Sequence, residues 1–243
     1  MYFLYRISNN SYNKPKLSNA SKEQCFVNFL EHLFTPQDRL LVIADNVNEQ
    51  LRHFLVKRLP ANATLREVNT GSNAASFRLQ LDLVQELPDE ELVMLHEDDY
   101  LYRGHAGDTP EQKHNRLALQ EALAKADYVS LYDHPDKYLA PAQGGNPLIN
   151  VQGMESVKLF LTAHSHWKLT NSTTLTFAVK AQTLKADQAI WLKHVSGTHP
   201  HDYPAFLELG AAGRTIATPI PGLASNTEPP WLSPLYDWER IGS

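Results

Sequence analysis

Short apolar runs alternate with helix-spaced apolar stripes through the first hundred positions. Tyr2-Phe3-Leu4-Tyr5-Arg6-Ile7-Ser8 is aromatic and branched and predicts a strand. A polar loop covers 9–18. Ser21 is placed to cap a helix over 22–34, whose apolar positions Cys25, Phe26, Phe29, Leu30 and Leu33 share one face. Residues 40–44 predict a second, buried strand that ends in Asp45-Asn46. A helix over 48–59 follows and stops at Pro60, and a third strand covers 64–68. After the turn at 69–73 a helix over 74–87 carries Phe77, Leu81, Val84 and Leu87 as its stripe. Leu92-Val93-Met94-Leu95 then predicts a buried strand, and Glu97-Asp98-Asp99 falls where that strand ends. Strand and helix alternating three times before a fourth strand implies a parallel sheet with right-handed crossovers.

Beyond the acidic triplet the pattern loosens. It predicts a loop over 102–112, a helix over 117–124, a strand over 128–131 and a long loop over 132–150. Strands over 157–162 and 173–179 flank a connection at 163–171. A helix over 181–194, a polar loop over 196–201, a short helix over 203–209 and a strand over 214–219 complete the reading. The proline-rich tail is expected to wrap the surface. No linker divides the chain. Residues 1–243 therefore read as one domain, with a nucleotide-binding half over 1–100 and an acceptor-side half over 101–243.

Composition narrows the class. Hydrophobic residues make up 42% of 243, enough for a sizeable core. The net charge of -5 argues against a nucleic-acid binder. The single cysteine, Cys25, allows no intrachain disulfide and fits a reducing cytoplasm. Residues 1–8 lack a secretory pattern, and no window is long and apolar enough to span a bilayer. The expectation is a soluble cytoplasmic protein, or one held through a partner at the inner face of a membrane.

Carboxylates at a strand's carboxyl end suit a hard cation such as Mg²⁺ or Mn²⁺, because ligands of open α/β sheets bind there. A solvated acidic turn is the plain alternative. Ser72-Asn73-Ala74 after Gly71 offers a helix N-terminus to phosphates. Asp133-His134-Pro135-Asp136 also follows a strand end; it is a substrate-contacting loop or an ordinary proline turn. His164, His166 and Trp167 either line an acceptor pocket, the indole stacking on a sugar, or are a buried aromatic beside surface histidines. His194, His199 and His201 lack the helical spacing of a zinc site. Asp202 is either a helix N-cap or a base aimed at an acceptor hydroxyl.

The order of Val42-Ile43-Ala44-Asp45, Asn69-Thr70-Gly71-Ser72-Asn73 and Leu95-His96-Glu97-Asp98-Asp99 resembles the GT-A glycosyltransferase fold of the family 2 type. The resemblance covers the first hundred residues and is looser beyond, through 173–178 and His201-Asp202-Tyr203. It implies a single-domain, Rossmann-like α/β fold with a mostly parallel sheet flanked by helices. It implies a transferase that moves a hexosyl or related sugar from a nucleotide-sugar donor to a glycan or other hydroxyl acceptor, assisted by Mn²⁺ or Mg²⁺, with inversion. On that footing Asp45 contacts the base, Asn69, Ser72, Glu97 and Asp98 serve the nucleotide, Asp99 ligates the metal and Asp202 is the general base. Two features depart from the pattern. Glu97 replaces the first aspartate of the D-x-D motif, and Asn226 stands where a C-terminal histidine often completes the metal shell. Two other readings remain: a metal-dependent phosphoesterase or nucleotidyltransferase, which needs more carboxylates converging on its metals, and a non-catalytic nucleotide-sugar or glycan-binding module.

Overall fold

The computed structural model describes residues 1–9, 14–145 and 155–241. Local chemistry sets its first elements. Strand β1 (Tyr2–Ser8) leads to helix α1 (Lys22–His32), which Ser21 opens with a reciprocal cap. The Gln24 N–H donates to Ser21 Oγ at 3.2 Å, and the Ser21 N–H donates to Gln24 Oε1 at 2.8 Å. Strand β2 (Arg39–Asp45), helix α2 (Glu49–Arg58) and strand β3 (Ala63–Val68) follow. Asn48 caps α2 through the Leu51 N–H at 2.9 Å. Gly71, with φ at +81°, turns the chain into helix α3 (Asn73–Gln85). Ser72 caps α3 by accepting from the Ala75 N–H at 3.1 Å. Strand β4 (Leu92–His96) then brings the acidic triplet to the end of the sheet.

The second half is built from shorter pieces. These are β5 (Tyr100–Tyr102), α4 (His114–Leu123), β6 (Tyr128–Val129), β7 (Leu159–Leu161), β8 (His166–Thr170) and β9 (Phe177–Lys180). Helices α5 (Ala181–Ala186), α6 (Gln188–His194) and α7 (Asp202–Ala211) come next, then β10 (Ile216–Ile220), β11 (Ala224–Asn226) and α8 (Trp238–Ile241). Among the described residues, nine strands form one sheet in the order β3-β2-β1-β4-β9-β6-β10-β8-β7. The first four run parallel, as expected. Strand β9 is antiparallel to β4 and β6, β10 is parallel to β6, and β8 and β7 alternate beyond it. The two halves thus share a mostly parallel sheet.

Alternating side chains bury both faces of that sheet. Phe3, Tyr5, Val42 and Met94 pack under Phe26, Phe29 and Leu33 of α1, with Leu51 and Leu55 of α2 and Leu119 of α4. Leu4, Leu41, Ile43, Val93 and Leu95 face the other way, onto Phe77 and Leu81 of α3, Trp191 of α6 and Phe206 of α7. The near-continuous apolar strands reflect this double burial.

Several elements differ from the sequence reading. The connection at 163–171 contains strand β8. The helix over 181–194 breaks at Asp187, whose buried carboxylate accepts from Arg214 Nε at 2.8 Å and Tyr128 O–H at 2.8 Å. The tail is partly core: β11 pairs antiparallel with β5, and Trp238 is buried, donating from Nε1 to the Ser233 carbonyl at 2.8 Å.

His96 lies directly beneath the acidic triplet. It is fully buried and stacked on Tyr5 at a centroid distance of 4.6 Å. Its Nδ1 is 2.6 Å from the Glu97 carbonyl, which can only accept, so Nδ1 carries the proton and Nε2 accepts from the Tyr102 O–H at 2.7 Å. Burial pushes the imidazole down to about 3. The unfolded chain binds a proton here below about pH 6.5, and the folded chain refuses it until far lower pH. This contribution to stability is therefore complete above about pH 6.5 and drains as pH falls toward 3, at about 1.4 kcal/mol per pH unit. Urea unfolding at about pH 7 and about pH 5 checks the expectation. Wild type loses more stability between the two than His96→Gln does; equal losses contradict it.

Candidate active site

Strands β1, β2 and β4 end on one side of the sheet, and a cleft of about 560 Å³ opens there. Its walls come from separate segments: the end of β1, the turn before α3, the acidic triplet, residues 198–200 with the start of α7, and the tail at 226–231. Asp45, Asn69, Ser72, Glu97, Asp98, Asp99, His134 and Asp202 all line it. Four expected residues do not: Asp133, His166, Trp167 and His164, whose Nδ1 lies 2.7 Å from Glu121 Oε1. Asp133 is buried behind His134, 2.8 Å from Lys168 Nζ and accepting from the Tyr138 O–H at 2.7 Å. Successive residues of an extended segment point to opposite sides, so only one of the pair reaches the cleft. Trp167 is fully buried in β8, stacked on Phe160 and donating from Nε1 to Thr162 Oγ1 at 3.0 Å. His166, its neighbour, is exposed on β8 and away from the cleft. The indole that does line the cleft is Trp231, half-buried and 5.4 Å from His134 between ring centroids.

Each carboxylate of the triplet meets its own cation. Arg6, nearly buried in β1, donates from Nη2 to Glu97 Oε1 at 3.0 Å, and from Nη1 to the Asn73 carbonyl at 3.0 Å. Asp98 Oδ2 accepts from Lys22 Nζ and, at 2.9 Å, from the Ser8 N–H. Asp99 Oδ2 accepts from Lys16 Nζ at 2.7 Å and Asn226 Nδ2 at 3.1 Å. Glu228 takes Lys14 Nζ at 3.1 Å and Lys16 Nζ at 3.4 Å. Burial holds the Glu97 carboxyl above the usual range, against Arg6, and Asp99, Asp202 and Asp98 add to the rise.

Asp45 and Asp202 line the cleft from separate segments of the chain. Asp45, at the end of β2, accepts from the Thr70 N–H at 3.0 Å and the Thr70 hydroxyl. Both oxygens therefore brace the turn that opens α3. Asp202 is the first residue of α7, with His201 in the capping position, and its Oδ1 accepts from the Tyr203 N–H at 2.7 Å. Burial raises its carboxyl above the ordinary aspartate value, with the Tyr203 N–H and His134 pulling the other way.

These contacts bear on the divalent ion that the triplet suggests. Among the described residues, no three His, Cys, Asp or Glu side chains are grouped to hold one. Glu97, Asp98 and Asp99 each turn an oxygen to a different cation. Asn226, in place of a histidine, presents an N–H to Asp99, while its Oδ1 accepts from the Glu228 N–H at 2.8 Å. Asp99 Oδ1 has no hydrogen-bond partner among the described residues, but it is a single oxygen. This donor set does not fit a divalent ion.

Arg6, Lys14, Lys16, Lys22, Glu228 and Trp231 were not expected at the site. Arg6 carried a signal, as a charge inside an otherwise apolar strand. The lysines sit in or beside a polar loop and read as ordinary solvated charges.

No protein-family model matches the chain, and no curated protein matches it. Among solved structures it is similar to galactosyltransferase LgtC in complex with donor and acceptor sugar analogues, at 12% identity over 90% of this chain and 73% of that one, with a TM-score of 0.46. It is also similar to mouse xyloside xylosyltransferase 1 in its apo form, at 11% identity, 88% and 83% coverage and a TM-score of 0.47. A third is 4-diphosphocytidyl-2C-methyl-D-erythritol synthase from Anaerococcus prevotii, at 11% identity, 89% and 86% coverage and a TM-score of 0.46. At these scores the likenesses carry no argument about activity.

The Asp45–Thr70 brace is testable by a double-mutant cycle. Asp45→Ala leaves the two Thr70 donors without their acceptor and is expected to cost about 1–3 kcal/mol. Thr70→Ala added to it costs little more, because the partner is already gone. Fully additive losses in urea unfolding contradict the brace.

Proposed function

We propose that the protein is a glycosyltransferase that moves a sugar from a nucleotide-activated donor to an acceptor hydroxyl. One observation carries the reading. Asp202 lies on the wall shared by the main cleft and a neighbouring cavity of about 230 Å³, lined in part by His134, Tyr203 and Trp231. A donor in the cleft and an acceptor in the side cavity would meet at that carboxylate. The aromatic side chains suit the apolar face of a sugar, and cationic side chains along the cleft suit a diphosphate.

On this reading the nucleoside lies toward Asp45 and Asn69, with its phosphates near the N-terminus of α3, whose dipole favours anions. Asp202 takes the proton of the acceptor hydroxyl as that oxygen attacks the anomeric carbon. The bond from that carbon to the diphosphate oxygen breaks, and its electron pair leaves with the nucleoside diphosphate. A single displacement of this kind inverts the anomeric centre. Arg6 holds Glu97 at the cleft floor.

Mass spectrometry of reactions with nucleotide-sugar and glycan panels tests this. The expected products are a glycosylated acceptor and a free nucleoside diphosphate; release of pyrophosphate instead would identify a nucleotidyltransferase. Asp202→Asn is expected to lower turnover by about a hundredfold or more, with donor affinity and melting temperature unchanged. Because Asp202 is raised by burial, wild-type turnover falls as pH drops through a value above the ordinary aspartate range. Near wild-type turnover in Asp202→Asn contradicts the assignment.

A further inference from the structure

We propose that Lys16 and Lys22, each held on a carboxylate of the acidic triplet, supply the positive charge that binds the donor's diphosphate, so that the nucleotide binds without a divalent ion. This rests on the sugar-transfer reading above and adds which groups hold the phosphates.

Three segments of chain converge to place Lys16. Its Nζ lies 2.7 Å from Asp99 Oδ2 and 3.4 Å from Glu228 Oε1. The backbone is tied at the same point. The Leu17 N–H donates to the Thr227 carbonyl at 3.0 Å, and the Thr227 N–H donates to the Asp99 carbonyl at 3.1 Å. The lysine loop, the triplet and the tail are thus one hydrogen-bonded unit. Lys22 is the first residue of α1 and is held on Asp98, which the Ser8 N–H also holds.

An ammonium has three N–H donors. Among the described residues, Lys16 uses two, on Asp99 and Glu228, and Lys22 uses one, on Asp98. The remaining donors are available to a ligand in the cleft, which both side chains line while 27% and 22% exposed. A divalent ion on the triplet would compete for the same oxygens. Asp98 Oδ2 and Asp99 Oδ2 each already accept an ammonium and an amide N–H, and an ion beside Lys16 would meet its charge at close range. Lysine is a common phosphate binder acting as a point charge. Carboxylates that hold the two stems in place remove part of the ordering cost of binding. The triplet, on this account, positions cations of the chain.

Calorimetric titration of UDP, GDP, CDP, ADP and dTDP, each in EDTA and in Mn²⁺, tests the proposal. One nucleotide is expected to bind with affinities in the two conditions within about threefold. Lys16→Met is expected to weaken that binding in EDTA by about tenfold or more while staying folded by circular dichroism, with a lowered melting temperature because Asp99 loses its cation, and Lys16→Arg to retain most of the binding and of the melting temperature. A nucleotide that binds only with Mn²⁺ overturns the proposal and leaves the sugar-transfer reading standing. Wild-type affinity of Lys16→Met in EDTA overturns it as well. Absence of binding by every nucleotide in both conditions overturns the proposal and the reading together.

Discussion

Three carboxylates in sequence at the end of a buried strand cannot stand uncompensated. Like charges crowded at a partly desolvated site raise one another's energy, and an unpaired buried charge costs several kcal/mol. The chain answers with one cation per carboxylate, each from a different place. Arg6 comes from the neighbouring strand, Lys22 from the start of α1, and Lys16 from the loop between them. Much of the remaining architecture serves those pairings. The parallel register of β1 beside β4 sets Tyr5 opposite His96 and so carries Arg6 to the level of Glu97. The antiparallel pairing of β11 with β5 sets Asn226 opposite Tyr100, next to Asp99.

The back of the site is dry and fixed. His96, Tyr5, Tyr100 and Tyr102 are fully buried beneath the triplet, and the Tyr100 O–H donates to Thr174 Oγ1 at 2.6 Å. The front is wet and cationic, where Lys14, Lys16 and Lys22 reach the cleft. This division suits electrostatic work. Charges pinned by a rigid floor need little reorganisation when an anion arrives or when charge develops on a leaving group. Asp202 stands on another wall, near enough to Glu97 to raise its carboxyl, so the two walls are electrostatically linked.

The first four strands and three helices were legible because their apolar periods are clean and Ser21 announces the first helix; Asn48 and Ser72 cap the next two in the structure. Because strand ends share one side of a parallel sheet, Asp45, Glu97 and Asp99 could be grouped without a structure. What was hidden is non-local. Strands β5 and β11 have three residues each and exist only as a pair brought together over more than a hundred residues. Strand β8 was masked by His166, read with Trp167 as an acceptor pocket when it is exposed on a strand in which Trp167 is core. Sequence does not say which indole is buried, so Trp167 stood in for Trp231. Nor does a lysine in a polar loop announce the carboxylate it will meet, since Lys16 and Asp99 are far apart in the chain.

A crystal structure grown with a nucleotide-sugar would show directly whether the donor lies on these lysines. The base is expected on the Asp45 wall, the diphosphate oxygens within about 3.2 Å of Lys16 and Lys22 Nζ, and the anomeric carbon facing Asp202. A nucleotide seated outside this cleft, or a sugar turned away from Asp202, would contradict this placement.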